Sequence, residues 1–530
     1  LLTEPVLAGP VKDAQGRNTL QQAKERMVAY FNENPTFEER HYLLDLFAEL
    51  EKYPVIAELL DHRHNPLWQI PVSADGAKRL IDFFQKIDAD NGDILHDFTD
   101  QEWDTRFLGD LYQDLSESVR KRYALLQTPE FVESFILDYT LEPAIQTFGL
   151  PGLRLIDPTC GSGHFLLTTF ERIFNQWLKR EPGTNARELA QRALGVVHGT
   201  DINPYAIAIC RFRLLIAAMK AAGSSKINDA PKFKFNLACG DSLLHGRRFE
   251  WQGQGIQGGL LDEEKKHVYE VEDPERLNKI LGQRYHVVVG NPPYITVKDK
   301  SLNQAYRDKY VTCHRQYSLG VPFTERFFDL TQLAQDNLPA GFMGMITANS
   351  FMKREFGKKL VEEYLPRKDL THVIDTSGAY IPGHGTPTVI LLARNQSPRS
   401  STIKAVLGIR GEPGVPEFAA DGKVWSSIVS LLPQSQAESE FISVAEQPRE
   451  SYGFHPWSLS GGGATDLKAI LDSGAEKFLG DLVTVIGRYT HTGSDEAYFL
   501  PINRGRLLGF SNDQIKTLVE GDVIRDWSIR

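Results

Sequence analysis

The chain has 530 residues, longer than one ordinary domain and enough for about two to four. Hydrophobic residues make up 41% and charged residues 24%, the balance of a globular protein, and no apolar run reaches the length of about 18 needed to cross a bilayer. A net charge of −10 argues against a general nucleic-acid coat, while leaving room for a local basic channel. The four cysteines, Cys160, Cys210, Cys239 and Cys313, are scattered without a C-x-x-C pair, which excludes a disulfide scaffold and a zinc ribbon. The chain opens on Leu1-Leu2-Thr3-Glu4, with no signal-peptide layout. It reads as cytoplasmic, with a fragment of a longer protein left open.

Residues 18 to about 147 read as helical. Leu43, Leu44, Leu46, Phe47 and Leu50 keep the rhythm of an amphipathic helix, and Leu108, Leu111, Leu115 and Val119 repeat it. Between them, Asp88-Ala89-Asp90-Asn91-Gly92-Asp93 has the look of a calcium loop. Gly92 falls one place early for that, and Thr99 stands where the closing Glu belongs, so a plain turn is expected.

From residue 153 short apolar strands alternate with helices, the pattern of a doubly wound α/β domain. Strands are predicted over 153–156, 195–199, 233–237, 285–289 and 342–346, with 371–375 and 388–392 as a closing pair. Residues 246–282 read as a Gly-rich charged insertion. Its Gly253-Gln254-Gly255-Ile256-Gln257-Gly258 matches a dinucleotide fingerprint only by chance, having no strand before it and no apolar helix after it. Residues 397–475, rich in Ser, Pro and Gly, read as connector, and an apolar rhythm returns from Phe478.

Chemistry concentrates after the strands. Asp157-Pro158-Thr159-Cys160-Gly161-Ser162-Gly163-His164 follows the first one. Its glycines let backbone approach a ligand, and the helix starting near His164 aims free N–H groups at the same place. Asp201, 44 positions later and at the tip of the second strand, is placed to accept the two ribose hydroxyls of a nucleoside. Asp241 after the third strand is placed to receive the adenine amino group of the same ligand. The fourth strand ends in Asn291-Pro292-Pro293-Tyr294, 134 residues beyond Asp157. The prolines stiffen that loop and leave the Asn291 amide oxygen and the Pro292 carbonyl as neighbouring acceptors. Two such acceptors suit a planar amino group about to act as a nucleophile, with Tyr294 stacking on the ring that carries it.

Together these residues resemble the S-adenosylmethionine-dependent adenine-N6 DNA methyltransferases. The resemblance implies a Rossmann-like class I methyltransferase sheet of seven mostly parallel strands. It implies that Asp157, Pro158, Cys160, Gly161, Ser162 and Gly163 hold the methionine part of the cofactor and Asp201 its ribose. Ile202, Asp241 and Ser242 would complete that site. Thr128-Pro129 resembles the segment that closes over the cofactor, and Asn291 to Tyr294 match the catalytic loop at all four positions. Cofactor segment first, catalytic loop second and recognition region last is the γ arrangement.

Arg106 to Leu115 and Ile381 to Thr388 look like the methylases of bacteriophage-exclusion (BREX) systems, and Ile486 to Ala497 with Gly521 to Trp527 like the entry to a target-recognition domain. The domains expected are therefore a helical N-terminal region over 1–115, a catalytic domain over 116–396, a connector over 397–475 and the start of a recognition domain over 476–530. The implied partners are double-stranded DNA and other phage-defence proteins, with no membrane. No metal is implied, since the sulfonium supplies the electrophile. Lys353, Arg354, Lys358 and Lys359 are candidates to line a DNA channel or to form a solvated face. Competing readings are methylation of a glutamine side chain or an RNA base, the methylase part of a fused restriction-modification enzyme, and a non-catalytic DNA-binding defence subunit. No nuclease pattern or phosphate loop accompanies these motifs: Asp421-Gly422-Lys423 lacks an acidic partner upstream and reads as a turn.

Overall fold

The computed structural model describes residues 7–13, 15–62, 65–69, 72–97, 103–115, 128–249, 272–383, 385–477, 479–484, 499–511, 513–515, 524–525 and 528–529. Contacts divide the chain into two units, residues 1–465 and 466–530. In the first unit, helices α1 (Thr19–Glu33), α2 (Glu39–Glu51), α3 (Ala74–Phe84) and α4 (Arg106–Leu115) precede the sheet, as the apolar periodicity predicts. The Asp88–Asp93 segment is a turn. The Asp88 N–H donates to the Asp93 carbonyl at 2.8 Å, and the Asp88 and Asn91 side chains accept from Asp90 and Asp93 N–H groups. Val119, Thr99 and the Gly253–Gly258 stretch lie outside the described residues.

All seven predicted strands are present: β1 (Leu155–Asp157), β2 (Val197–Asp201), β3 (Asn236–Cys239), β4 (Val287–Gly290), β5 (Phe342–Ala348), β6 (Asp369–Asp375) and β7 (Thr388–Arg394). The first four begin two or three residues later than the apolar runs suggest. At β2 the preceding helix runs through Val196 and takes up the residues expected to be strand. At β3 the strand starts where the Asn236 amide reaches the Leu194 and Val197 carbonyls. Buried Phe233 and Phe235 pack as core without strand geometry.

The strand order is β3-β2-β1-β4-β5-β7-β6, parallel from β3 to β5, with β7 antiparallel between β5 and β6. Residues 397–475, expected to be connector, carry three further strands of the same sheet: β8 (Thr402–Gly408), β9 (Ala437–Glu438) and β10 (Ile442–Pro448). Alternating residues in the register of β8 and β10 explain this: Ile403, Ala405, Leu407, Ile442 and Val444 are buried in a segment whose overall composition is polar. Asp421 ends a short turn there, followed by a helix whose first two N–H groups are capped by Glu412.

Helices cover both faces of the sheet, so its central strands read as unbroken apolar runs. On one face Leu155, Val197, Val287 and Val289 pack with α5 (Glu130–Asp138), α6 (Leu141–Phe148), α7 (His164–Arg180), α8 (Ala186–Val196) and α9 (Pro204–Ala221). On the other face Ile156, Val288, Met343 and Met345 pack with α10 (Pro274–Leu281), α11 (Lys300–Lys309) and α12 (Gly320–Leu330). In the second unit a two-stranded antiparallel pair, Ile524–Arg525 with Ser528–Ile529, is described; Phe478 and Ile486 to Ala497 lie outside the described residues.

The second core holds a fully buried arginine, Arg326 of α12. It donates to the Ser242, Arg247, His245 and Leu281 carbonyls at 2.8–3.3 Å and pairs with Asp329 at 2.6 Å. It thereby fixes the chain after β3 to the underside of the sheet. Arg326→Ala takes the donor from four carbonyls and one guanidinium from Asp329, which keeps Arg248 and the Phe249 N–H, and is expected to cost about 3–5 kcal/mol in urea unfolding.

Candidate active site

The loop from β1 into α7 is held rigid by its own short-range bonds. Asp157 is 2% exposed, and its Oδ1 accepts from the Thr159 N–H at 2.9 Å and the Thr159 hydroxyl at 3.0 Å. Burial pushes its carboxyl up to about 8 against those bonds, with the Asp201 and Glu133 charges adding to the rise. Cys160 turns its side chain into the core; its N–H donates to the Thr200 carbonyl, and its carbonyl accepts from the Gly163 N–H. Gly161 and Gly163 take the left-handed backbone, with φ of +52° and +91°. A Cβ on Gly163 would lie 2.5 Å from the Cys210 sulfur, so the loop sits flush on α9. A Cβ on Gly161 would meet nothing within 4 Å: open space lies above the loop. Arg213 of α9, fully buried, donates from Nη1 to the Ser162 carbonyl at 2.8 Å and the Ser162 hydroxyl at 3.1 Å.

At the tip of β2, Asp201 reaches back to this loop. Its Oδ2 accepts from the Gly161 N–H and its Oδ1 from the Asn203 N–H, both at 2.9 Å. Burial pushes its carboxyl up to about 6. Each oxygen retains a second lone pair for a hydroxyl donor. Ile202 beside it is half-buried. After β3, Ser242 donates its hydroxyl to the Pro158 carbonyl at 2.7 Å and lies 2.7 Å from the Thr200 hydroxyl, tying the ends of three strands together. Asp241 is 3% exposed; its Oδ1 accepts from the Leu243 N–H, and its Oδ2 from the Tyr306 hydroxyl of α11 at 2.6 Å. Thr128 and Pro129 lead into α5, where Glu133 accepts from the Thr168 hydroxyl and pairs with His164 at 3.3 Å. Helix α5 is thereby docked on the first turns of α7.

The Asn291–Tyr294 loop leaves β4 next door. Pro292 is buried, while Asn291, Pro293 and Tyr294 are half-buried. The Tyr294 hydroxyl lies beside the Asn291 side chain, and burial raises its pKa above the ordinary tyrosine range. Gly290, just before the loop, has no space for a side chain. Its Cβ would fall 2.5 Å from Asp157 Oδ1, 2.8 Å from the Thr159 hydroxyl and 3.0 Å from the Phe327 ring. The loop after β1 and the loop after β4 are thus in direct contact through Asp157 and Gly290.

Of the basic residues considered for DNA, Lys353, Arg354 and Lys358 are exposed, and Lys359 is half-buried. They follow β5 on the same edge of the sheet. Sequence reasoning did not find Arg213 or Tyr306. The only trace of Arg213 is an arginine inside the apolar Ile207–Met219 stretch of a helix that had to be buried.

A sheet of order β3-β2-β1-β4-β5-β7-β6 with antiparallel β7, a glycine loop after β1, an acid after β2 and Asn-Pro-Pro-Tyr after β4 is the class I methyltransferase fold. Residues 196–381 match the family described as Eco57I restriction-modification methylase. Over its whole length the chain is similar to the adenine-specific methyltransferase PglX of Streptomyces coelicolor, at 45% identity. It is 26% identical over 380 residues to the type II methyltransferase M.PaeR7I of Pseudomonas aeruginosa, which covers 69% of the chain. The chain spans 44% of the first relative's length and 55% of the second's. Among solved structures, a modification subunit of a putative type I restriction enzyme from Vibrio vulnificus covers 75% of this chain and 69% of its own, with a TM-score of 0.45 and 14% identity. S-adenosylmethionine is the cofactor this family implies. The residues fit it: open space above Gly161, unshared lone pairs on Asp201, and the Asp157 carboxyl under the influence of Asp201 and Glu133, suited to a ligand carrying an ammonium and a sulfonium.

Three outcomes follow for the loops and the carboxylates. Gly290→Ala is expected to separate the two loops, lowering cofactor affinity and transfer together, as calorimetry and a transfer assay on the folded variant would show. Asp201 loses its proton as pH rises past about 6 and Asp157 past about 8, and the negative charges that appear favour a cationic ligand. Cofactor affinity should therefore rise from pH 6 to pH 8.5 in calorimetric titrations, with protons released on binding. For the ligand-free chain the same raised pKa values mean that stability falls over about pH 4 to 8, because the folded state holds protons the unfolded chain has already released.

Proposed function

We propose that this chain transfers a methyl group from S-adenosylmethionine to the exocyclic N6 of adenine in double-stranded DNA, as the methylase of a phage-defence system in the cytoplasm. The contact of Gly290 with Asp157 and Thr159 carries the reading, because it brings a cofactor loop and an amine-binding loop to one point. The 45% identity to a protein named as adenine-specific supports the choice of base, and the resemblance of Arg106 to Leu115 and Ile381 to Thr388 to bacteriophage-exclusion methylases supports phage defence. A second reading, the methylase of a restriction-modification enzyme, draws on the likeness to M.PaeR7I.

When bound, S-adenosylmethionine supplies a methyl group activated by a sulfonium. Asp201 would hold the ribose hydroxyls, and the backbone from Asp157 to Gly163, kept in shape by Thr159, Asp201, Ser242 and Arg213, would hold the methionine end. Asp241, oriented by Tyr306, would receive the adenine amine of the cofactor, and Thr128-Pro129 would close over it. The target adenine must leave the base stack, at a cost of about a few kcal/mol. Asn291 Oδ1 and the Pro292 carbonyl then accept both N–H bonds of its amine, which concentrates electron density on the nitrogen for attack. Tyr294 stacks on the ring. The surplus proton on the methylated nitrogen passes to solvent.

Asn291→Ala should lower transfer by roughly 10²-fold or more, the scale for losing a directed hydrogen bond to a reacting group. Cofactor affinity should change little, since Asn291 touches the target amine. Tyr294→Ala should lose less, and Tyr294→Phe least. Tritium transfer to duplex DNA measures all three. Substantial transfer by Asn291→Ala would overturn the amine clamp. Cofactor and DNA binding without transfer by the wild type would support the non-catalytic alternative.

A further inference from the structure

Among the described residues, two other than glycine have a left-handed backbone: Trp103 and Arg315, the latter with φ of +49°. An arginine has no local reason to adopt this region, and such a residue persists only where its surroundings over-determine it. At Arg315 they do. Arg307 of α11 donates from Nη1 to the Cys313 carbonyl at 3.3 Å and from Nη2 to the Arg315 carbonyl, while Asn303 holds its Nε at 2.8 Å. The Arg307 guanidinium lies over the ring of fully buried Tyr317, 5.1 Å from its centroid. The loop then joins the catalytic segment: the Leu319 N–H donates to the Ile295 carbonyl at 2.9 Å, and Ser318 bridges to Thr296. These contacts fall one and two residues beyond Tyr294.

The clamp fixes the backbone of Arg315 and leaves its side chain in solvent, 61% exposed. Its ion-pair partner is Glu355 at 2.6 Å, itself 55% exposed and set next to the exposed Lys353 and Arg354. An exposed pair of this kind contributes little to stability, so it does not account for the constrained loop. A guanidinium fork held beside a nucleic-acid-modifying loop does have a matching ligand, because its geometry fits phosphate oxygens two at a time.

We propose that Arg315, with Lys353 and Arg354, forms a rim that grips the duplex backbone next to the flipped adenine. Glu355 is its resting partner and gives way to the phosphate. The proposal rests on the DNA reading above.

The test uses Arg315→Gly, since glycine adopts the left-handed backbone freely and the loop should keep its shape. Melting temperature and cofactor affinity are expected to stay level or rise. Duplex affinity should fall several-fold, and the slope of log affinity against log salt should shrink by about 0.9, one phosphate contact. Glu355→Gln should tighten duplex binding. Wild-type binding with an unchanged salt slope in Arg315→Gly would overturn the proposal alone. So would a loss of melting temperature in Arg315→Gly with duplex affinity intact, the mark of a turn-closing residue. If the wild type binds no duplex at any salt concentration, the DNA reading falls and takes the proposal with it.

Discussion

The spacing between two loops is set by the absence of one side chain. At Gly290 the backbone of β4 passes so close to Asp157 and Thr159 that a single methyl group would collide with both. Parallel pairing of β1 with β4 brings the strands side by side, and glycine lets their loops close on each other. The neighbouring contacts hold that arrangement in place. Asp201 ties the loop after β1 to the tip of β2, Ser242 ties it to the turn after β3, and Arg326 pins that turn beneath the sheet. A methyl donor and its acceptor have to meet with little tolerance in distance and angle, and rigid elements hold such geometry better than mobile loops.

Electrostatics at the site run against stability. Asp157 and Asp201 are carboxyls buried close to one another, and burial raises both. An isolated pair of this sort is costly in the empty protein. A ligand with two positive centres relieves the cost, so part of the binding energy is held in the folded chain before the ligand arrives. Arg213 is also fully buried beneath the glycine loop, with its Nη1 committed to the Ser162 carbonyl and hydroxyl. Buried charge on both sides of one loop marks the place where the fold gives up stability for a site.

How much of this was legible in the sequence depended on the range of the interaction. The β1 loop, Asp201 and the Asn291–Tyr294 loop are local patterns at strand ends, and each stands where the alternation of strands and helices places it. The strand starts were misjudged where buried side chains such as Phe233 and Phe235 pack without pairing. Residues 402–448 were missed as strands because polar turns dilute the composition, while the buried residues alternate over short stretches. Tyr306 and Arg213 were out of reach for a different reason. Their partners lie 65 and 51 residues away, and the one local hint is that Arg213 stands inside an apolar helical stretch. Arg315 belongs to the same class: an ordinary residue whose backbone conformation only the fold reveals.

The account stands or falls on where the methyl group goes. The direct measurement is to incubate the protein with duplex DNA and S-adenosylmethionine labelled in the methyl group, digest the DNA to nucleosides and identify the labelled one. The account predicts that the label is found in N6-methyl-2′-deoxyadenosine. Label in a cytosine nucleoside, label in protein or RNA supplied alongside, or none at all in the presence of bound cofactor would contradict it.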